Sequence, residues 1–442
     1  MEIHAIPVED KFIIYRPLMQ TAFIGNAAML EIIEQLAAGK QVTTSTDLHA
    51  FLDSIGFLRH DPPPPTAPSR EFKPITAVLL VTNRCNLRCT YCYANAGVMP
   101  VADLSLELAQ DAINIVYRNA VESNAPLFEV CFHGGGEPTQ GWTLIKEATA
   151  YARRKELPCK ITMVSNGIWS PTQREWMLEN IDGVTISIDG MPETQNRQRP
   201  FANGSHTHTH IMKTLHALDQ ANIEYGIRMT ATSPWGDTFA EDVRYLVENT
   251  HCPTFQVEPA FNTQRGAHQS SQQDEADAFI DGFMKGLLIA HNAGRSLIYS
   301  GARLGLITNS FCTAPYNALI INAAGQIVGC YEIASDSHDL GNVSIFGTLT
   351  DGQYQLYHTT RNTLLNHLDE RRTTKCQSCF AQWHCAGDCY TRSTSVNNGQ
   401  FHATSARCYT NRKLTKQLLL WLLEEGEGVW QGQQFEEKMV AI

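Results

Sequence analysis

Three cysteines stand in one short run, Cys85-Asn-Leu-Arg-Cys89-Thr-Tyr-Cys92. Three thiolates in a single loop at this CxxxCxxC spacing can hold three irons of a [4Fe–4S] cube and leave the fourth iron open to a further ligand. The competing reading is a zinc knuckle short of one ligand. Seven more follow downstream: Cys312, Cys330, Cys376, Cys379, Cys385, Cys389 and Cys408. Read alone, that set could equally build a zinc ribbon. The chain has 442 residues and 13 cysteines, so three remain. These, Cys131, Cys159 and Cys252, read as small buried hydrophobes.

The elements that must position the first run are β-α units. Apolar stretches at 76–82, 127–132, 160–165, 183–188, 224–230 and 254–258 read as strands. Helical periodicity fills the intervals at 104–121, 141–154, 172–179, 208–221 and 236–249, with a further helix at 274–292. Six such units in series predict a parallel sheet with helices outside it. Polar and glycine-rich residues end the strands: Asn83, the loop 133–138, Asn166-Gly167 and Asp189-Gly190. A parallel α/β barrel carries its active site at that end.

The two ends of the chain differ from this middle. Residues 1–60 read as a separate unit. Lys11–Tyr15 and Gln20–Ile24 could pair as a hairpin, and Asn26 can cap a helix running to Ala38. A second helix starts at Thr46 or Asp47. Asp61-Pro62-Pro63-Pro64-Pro65 opens a stiff linker over 61–74. Beyond residue 300, strands at 317–322 and 327–331 flank Gly325 as a hairpin. An apolar helix occupies 411–424 and a tail follows at 425–442.

Composition excludes several classes. Lys plus Arg is 34 against 45 Asp plus Glu, a net charge of −11, without a basic block to grip phosphates. Nucleic-acid binding is therefore not expected. The apolar run Leu418–Leu423 is far short of the ~20 residues that span a bilayer, so no membrane association is expected. No secretory signal is visible, which predicts a cytoplasmic chain. Disulfides are rare there, so the cysteines point to metal, redox or catalytic use.

On these residues the chain resembles the radical S-adenosylmethionine (SAM) superfamily. CxxxC, the aromatic Tyr91 and then Cys92, after the first strand of a six-unit barrel, is that family's hallmark. Gly135-Gly136-Glu137-Pro138 resembles the family's loop for the SAM amino group, and Ser165-Asn166-Gly167 ends the third strand. Ser187-Ile188-Asp189-Gly190 resembles its ribose-contacting segment, and Arg228 matches a position that pairs with the SAM carboxylate. The resemblance implies that Cys85, Cys89 and Cys92 hold the cluster that SAM chelates. Glu137 or the loop carbonyls would accept from its ammonium, and Ser187 and Asp189 would bond the ribose. The implied chemistry is cleavage of SAM to methionine and a 5′-deoxyadenosyl radical.

The seven later cysteines and Gly325 match the spacing of the SPASM extension of that superfamily. This implies two auxiliary clusters, one on Cys376, Cys379, Cys385 and Cys408, the other on Cys312, Cys330 and Cys389 and nearer SAM. Some relatives supply a fourth cysteine just upstream of the second set, where this chain has Leu306. That cluster then has an open iron or a ligand from elsewhere, with Cys252 one candidate. Residues 11–58 resemble the peptide-recognition domain of ribosomal-peptide maturases, which takes a leader peptide as an added strand.

The expected fold class is therefore α/β. A winged-helix-like peptide-recognition domain at 1–60 and the linker 61–74 precede a partial (β/α)6 TIM barrel at 75–300. A cysteine-rich SPASM domain at 301–424 and the tail follow. The expected cofactors are SAM and three iron–sulfur clusters of the [4Fe–4S] type. The expected partners are a precursor peptide with its leader and a reductant such as flavodoxin or ferredoxin. The implied activity is hydrogen abstraction followed by an intramolecular C–C, C–O or C–S side-chain cross-link, cyclophanes included. The alternatives are a sulfatase-type or quinone-cofactor protein maturase and, outside enzymes, a zinc or iron–sulfur binding protein. Sulfatase maturases carry an Asp base directly after the second cysteine of the extension. Here Tyr331 and Glu332 follow Cys330. Glu332, Tyr331 and Asp388 are the candidate bases, with Glu258 a further carboxylate.

Overall fold

The computed structural model describes residues 1–42, 45–232, 236–260, 273–392, 401, 405 and 407–432. The chain opens with three antiparallel strands, β1 (His4–Val8), β2 (Lys11–Arg16) and β3 (Thr21–Gly25). Side chains alternate across them. Ile14 and Phe23 face the helices Ala27–Ala37 and Thr46–Ser54 and join Ile33, Leu52 and Phe57 in a small core. Ile13, Tyr15 and Ala22 face the other way, into the main core. Asn26 and Ser45 cap the two helices by accepting from Met29 N at 2.9 Å and Leu48 N at 3.2 Å. The hairpin expected from sequence thus has a third strand. Pro7 inside β1 masks it, since proline is tolerated only on an edge.

The six expected strands form as β4 (Thr76–Thr82), β5 (Phe128–Gly135), β6 (Cys159–Ser165), β7 (Gly183–Ser187), β8 (Tyr225–Ala231) and β9 (Thr254–Pro259). Each is parallel to the next. β10 (Ser296–Ile298) extends the sheet beyond β9. On the other side β11 (Ala318–Ile321) lies parallel to β4. β12 (Gln326–Val328), β13 (Ile345–Thr350) and β14 (Gln353–Leu356) follow, antiparallel. The result is one 11-stranded open sheet in the order β10-β9-β8-β7-β6-β5-β4-β11-β12-β13-β14. It is a mostly parallel α/β sheet that, among the described residues, does not close. The sheet also runs on past residue 300, because the hairpin β11–β12 joins it directly. β10 is too short, and β13 and β14 too polar, to show in the pattern of apolar residues.

Alternation gives this sheet two unlike faces. Outward residues such as Leu79, Phe132, Met163, Ile186 and Val257 pack in the main core under the helices. On the inner face, Val78, Leu80 and Cys131 meet Ala318, Ile320 and Val328 in a second apolar cluster. Farther along, the inner positions of β6 to β9 are Thr162, Ser187, Arg228 and Glu258. A polar stripe inside a covered sheet is costly unless it serves a ligand or is internally paired.

After the helix Cys408–Glu425 the chain turns and forms β15 (Val429–Trp430), antiparallel to β3 with Val429 opposite Phe23 and Trp430 opposite Ala22. Trp430 is buried and lies 6.2 Å from the Tyr15 ring. Tyr15 OH bonds His384 Nε2, and Trp383 Nε1 donates to Glu2 Oε2 at 2.8 Å. The N-terminal sheet is therefore clamped between the C-terminal strand and the cysteine-rich loop. The expected tail beyond residue 432 lies outside the described residues. Trp430→Ala should destabilise the chain by about 3–5 kcal/mol, as truncation of a buried aromatic does. A lowered denaturant midpoint checks this, and an unchanged midpoint would show that β15 carries no stability.

Candidate active site

The cysteine loop follows β4, and a single side chain folds it. Arg88 donates to the carbonyls of Cys85 at 2.9 Å, Leu87 at 2.8 Å and Gly97 at 2.7 Å. Leu87 N points at Cys85 Sγ at 3.4 Å and Ala96 N at Cys92 Sγ at 3.5 Å. Burial pushes the Cys85 thiol up to about 12, and Cys89, Glu137 and Cys92 add negative charge beside it. Such crowded sulfurs ionise readily only around a cationic group, which iron supplies. The donor set thus fits a metal cluster.

The glycine loop lies against this run. Gly136 N donates to Thr82 O at 2.6 Å and Glu137 N to Arg84 O at 2.8 Å. A Cβ on Gly136 would collide with the Arg84 carbonyl, so only glycine allows this approach. Glu137 is buried and accepts from Thr139 N at 3.2 Å, Thr139 Oγ1 at 2.8 Å, Ser165 Oγ at 2.8 Å and Asn166 N at 2.7 Å. Asn166 Nδ2 reaches Asn86 Oδ1 at 2.8 Å, inside the cysteine run. Glu137 is therefore a brace between β5 and β6, not the free acceptor one sequence reading made it.

Asp189 is also engaged. Tyr91 OH donates to its Oδ2 at 2.6 Å and Thr230 N to its Oδ1 at 2.9 Å. Arg199 Nη1 donates to Tyr91 OH at 2.7 Å. All three side chains are buried. Ser187 instead stays on the inner face, in register with Arg228. Arg228 faces Tyr93, His133 and Tyr331, and forms no ion pair among the described residues. His133 is 7% exposed, its Nδ1 has no hydrogen-bond partner, and its ring lies 4.7 Å from Tyr331. Burial and the Arg228 charge pull its pKa down to about 3.

The later thiols fall into two groups. Cys330 has Cys312 and Cys389 as its cysteine neighbours. Cys376 has Cys379 and Cys408, and Cys385 has Cys376 and Cys408. All thirteen cysteines are free of disulfides. Among the described residues no three His, Cys, Asp or Glu side chains converge as a single metal ion would need. A cube with one thiolate per iron spreads its ligands across its corners. Cys131, Cys159 and Cys252 are buried. Cys252 Sγ sits against Thr254 O at 3.1 Å and Tyr225 O at 3.5 Å, at the starts of β9 and β8. That is the sheet end opposite the cysteine loop, which excludes it as a ligand to the Cys330 group.

Residues 79–241 match the sequence profile of the Radical SAM superfamily. The chain carries a radical SAM domain. A curated relative is the sporulation killing factor maturation protein SkfB of Bacillus subtilis, 28% identical over 59% of this chain and 60% of that protein. The chain spans between 38% and 60% of the length of the first curated relatives it matches. Among solved structures, native anSMEcpe with bound AdoMet matches with a TM-score of 0.63 at 17% identity, covering 80% of this chain and 99% of that one. Streptococcus suis SuiB bound to precursor peptide SuiA matches with a TM-score of 0.54 at 18% identity, covering 86% and 88%. At these identities the structures share the fold. No helix among the described residues is long and apolar enough to cross a membrane.

The surroundings of the radical SAM domain sort the candidate bases. Asp388 is buried and gripped by Arg407, whose Nη2 lies 2.5 Å from Oδ1 and Nε 3.2 Å from Oδ2. Burial alone would raise its carboxyl, but the Arg407 charge and hydrogen bonds hold it at about 2. Arg407 Nη1 also holds Glu258 Oε2 at 2.6 Å. Both carboxylates are thus locked in a buried ion-pair network, and the geometry speaks against either as a base. The Tyr331 ring lies tilted against His133, where burial raises its phenol well above the usual range. Glu332 keeps one oxygen without a partner. Tyr93, His133, Arg199, Arg392 and Arg407 were not singled out from sequence. Only His133 carried a signal, as a polar residue two places before the glycine loop.

Gly136→Ala should lower the iron content of anaerobically reconstituted protein well below that of the parent chain. Iron equal to the parent's would show that the close approach is dispensable. His133 titrates near 6.5 when unfolded and near 3 when folded. The stability it contributes is complete above pH ~6.5 and is lost as the pH falls toward 3. His133→Gln should flatten that acid slope in denaturant midpoints measured across the window.

Proposed function

We propose that this chain is a radical SAM maturase that installs an intramolecular C–C, C–O or C–S side-chain cross-link in a ribosomally made precursor peptide. The observation that carries this reading is the polar inner face. Arg228, with no carboxylate partner among the described residues, lies near Tyr93, His133 and Tyr331, between the first cysteine run and the Cys330 turn. On this reading Cys85, Cys89 and Cys92 hold the cluster that binds SAM. Cys312, Cys330 and Cys389 hold one auxiliary cluster, and Cys376, Cys379, Cys385 and Cys408 the other. When bound, these groups supply a 5′-deoxyadenosyl radical able to take hydrogen from an unactivated carbon, and a sink for the surplus electron.

The chain's own residues do the rest. Arg228 would hold the SAM carboxylate, the glycine-loop carbonyls would accept from its ammonium, and Ser187 would meet the ribose. Glu137 and Asn166 keep the glycine loop on the cysteine run. Tyr91, Asp189 and Arg199 fix the wall beside Cys89. Joining two side chains removes two hydrogens from the peptide, one as a hydrogen atom and one as a proton plus an electron. Two auxiliary groups suit that oxidation, whereas epimerisation needs no net electron sink. The maturation role of the SkfB relative and the precursor peptide seated in SuiB support a peptide substrate. Residues 1–60 are the proposed leader-recognition unit. A leader adding a strand beside β3 meets an edge that β15 already covers at Ala22 and Phe23. A flavodoxin- or ferredoxin-type protein is the proposed reductant.

With SAM and dithionite under anaerobic conditions, the protein should release 5′-deoxyadenosine. Cys89→Ala should abolish this, while Cys379→Ala should keep part of it and lose product. Arg228→Ala should raise the KM for SAM about tenfold to a hundredfold, the worth of a lost charge-assisted contact. Co-expression with the precursor peptide should lower its mass by two hydrogens per cross-link. Zinc without iron would sink the reading, and an unchanged peptide mass with an inverted stereocentre would replace it by epimerisation.

A further inference from the structure

The group formed by Cys312, Cys330 and Cys389 has three thiols, and Cys131, which shares an apolar cluster with Cys330, has its own thiol hydrogen-bonded to Thr162. A cube offers four irons, so a fourth donor must come from another residue type or from solvent. The turn after Cys330 holds one carboxylate that no protein donor saturates. Ile333 N donates to Cys330 O at 3.2 Å, which bends the backbone so that Glu332 lies inside the turn. Glu332 is 8% exposed. Its Oε1 pairs with Arg392 Nη2 at 2.6 Å, and its Oε2 is buried without a hydrogen-bond partner among the described residues.

The same ion pair ties the two cysteine turns together. Arg392 N donates to Cys389 O at 3.1 Å, so the guanidinium that grips Glu332 grows from the turn that carries Cys389. The carboxylate is thereby held between the turn that carries Cys330 and the turn that carries Cys389. A buried carboxylate oxygen left unpaired is expensive unless it meets a cation.

We propose that Glu332 Oε2 is the fourth ligand of the Cys312, Cys330 and Cys389 cluster, with Arg392 holding the carboxylate in place through Oε1. This rests on the reading that these three cysteines bind a cluster. The site is then closed by oxygen on one iron and sulfur on three. Glu332 is a ligand and not a proton acceptor, so the peptide's proton goes elsewhere. The unpartnered Nε2 of buried His338 is the competing donor in this neighbourhood.

The test uses the full chain with Cys85, Cys89 and Cys92 all changed to Ala, which removes the other three-cysteine site. After anaerobic reconstitution and reduction, electron–nuclear double resonance is recorded in water enriched in the magnetic oxygen isotope. Protein with Glu332 intact should show no coupling to solvent oxygen. Glu332→Ala should admit a water and show that coupling, and Glu332→Cys should keep its iron and show none. Solvent oxygen already bound with Glu332 in place would overturn the assignment. So would a Glu332→Ala spectrum identical to that of the unsubstituted residue, and a change seen in His338→Ala alone would move the ligand there. Cys330→Ala serves as the separate control. If it leaves the iron content unchanged, the cluster reading itself fails, whatever Glu332 does.

Discussion

Sulfurs held close together in a desolvated site repel one another once ionised, and the fold is arranged around that repulsion. Burial raises the thiols of Cys85, Cys330 and Cys385, and neighbouring carboxylates or thiols push in the same direction. Each cysteine group is met by an arginine. Arg199 lies beside Cys89, Arg392 beside Cys389, and Arg371 beside Cys376 and Cys408. Guanidinium suits this task because it keeps its charge when buried and can bond a carbonyl or carboxylate at the same time. Arg199 does so through Tyr91 and Arg392 through Glu332.

The same economy shapes the N-terminal sheet. Its β2 face sends Tyr15 into the main core, where the phenol meets His384, the residue before Cys385. Lys416, from the helix that begins at Cys408, donates to Pro7 O of β1 at 2.5 Å. β15 covers part of β3 on the opposite edge. A sheet with both edges partly occupied accepts an added strand only where backbone groups stay free or where the covering strand yields. Two ladder residues are a weak cover, and far weaker than the five-residue pairing between β2 and β3.

What was legible in the sequence was local. CxxxCxxC and the glycine loop are runs whose spacing is itself the signal, and strands β4 to β9 show as apolar stretches. The ion pairs that decide which carboxylates are available were not legible. Arg407 and Glu258 are 149 residues apart, and Glu332 and Arg392 are 60 apart. A carboxylate two residues after a cysteine reads the same whether or not an arginine reaches it. Glu137 illustrates the point. Its place in the motif is visible, but its four donors come from β6 and from the turn that follows it. β15 escaped for the opposite reason, since two residues carry no periodicity.

The stretch from Cys385 to Cys389 shows how the two later groups are kept apart. Cys385 belongs with Cys376 and Cys408, and Cys389 with Cys330. Between them Ala386, Gly387 and Asp388 all have positive φ, at 46°, 87° and 62°. Glycine takes this region freely, but alanine and aspartate do so at about 1–2 kcal/mol each. Such a left-handed run swings the chain sharply, so that cysteines four residues apart serve different groups. The strain persists because the turn is held at Asp388. Asp388 takes two hydrogen bonds from Arg407 and a third from Ser405 Oγ. Arg407 precedes Cys408 and also bonds Glu258 on β9. One guanidinium therefore fixes the turn between the two groups, the backbone entering Cys408, and the polar end of the sheet. Asp388 is spent on shape, which is why a carboxylate so near the cysteines is not free for proton transfer.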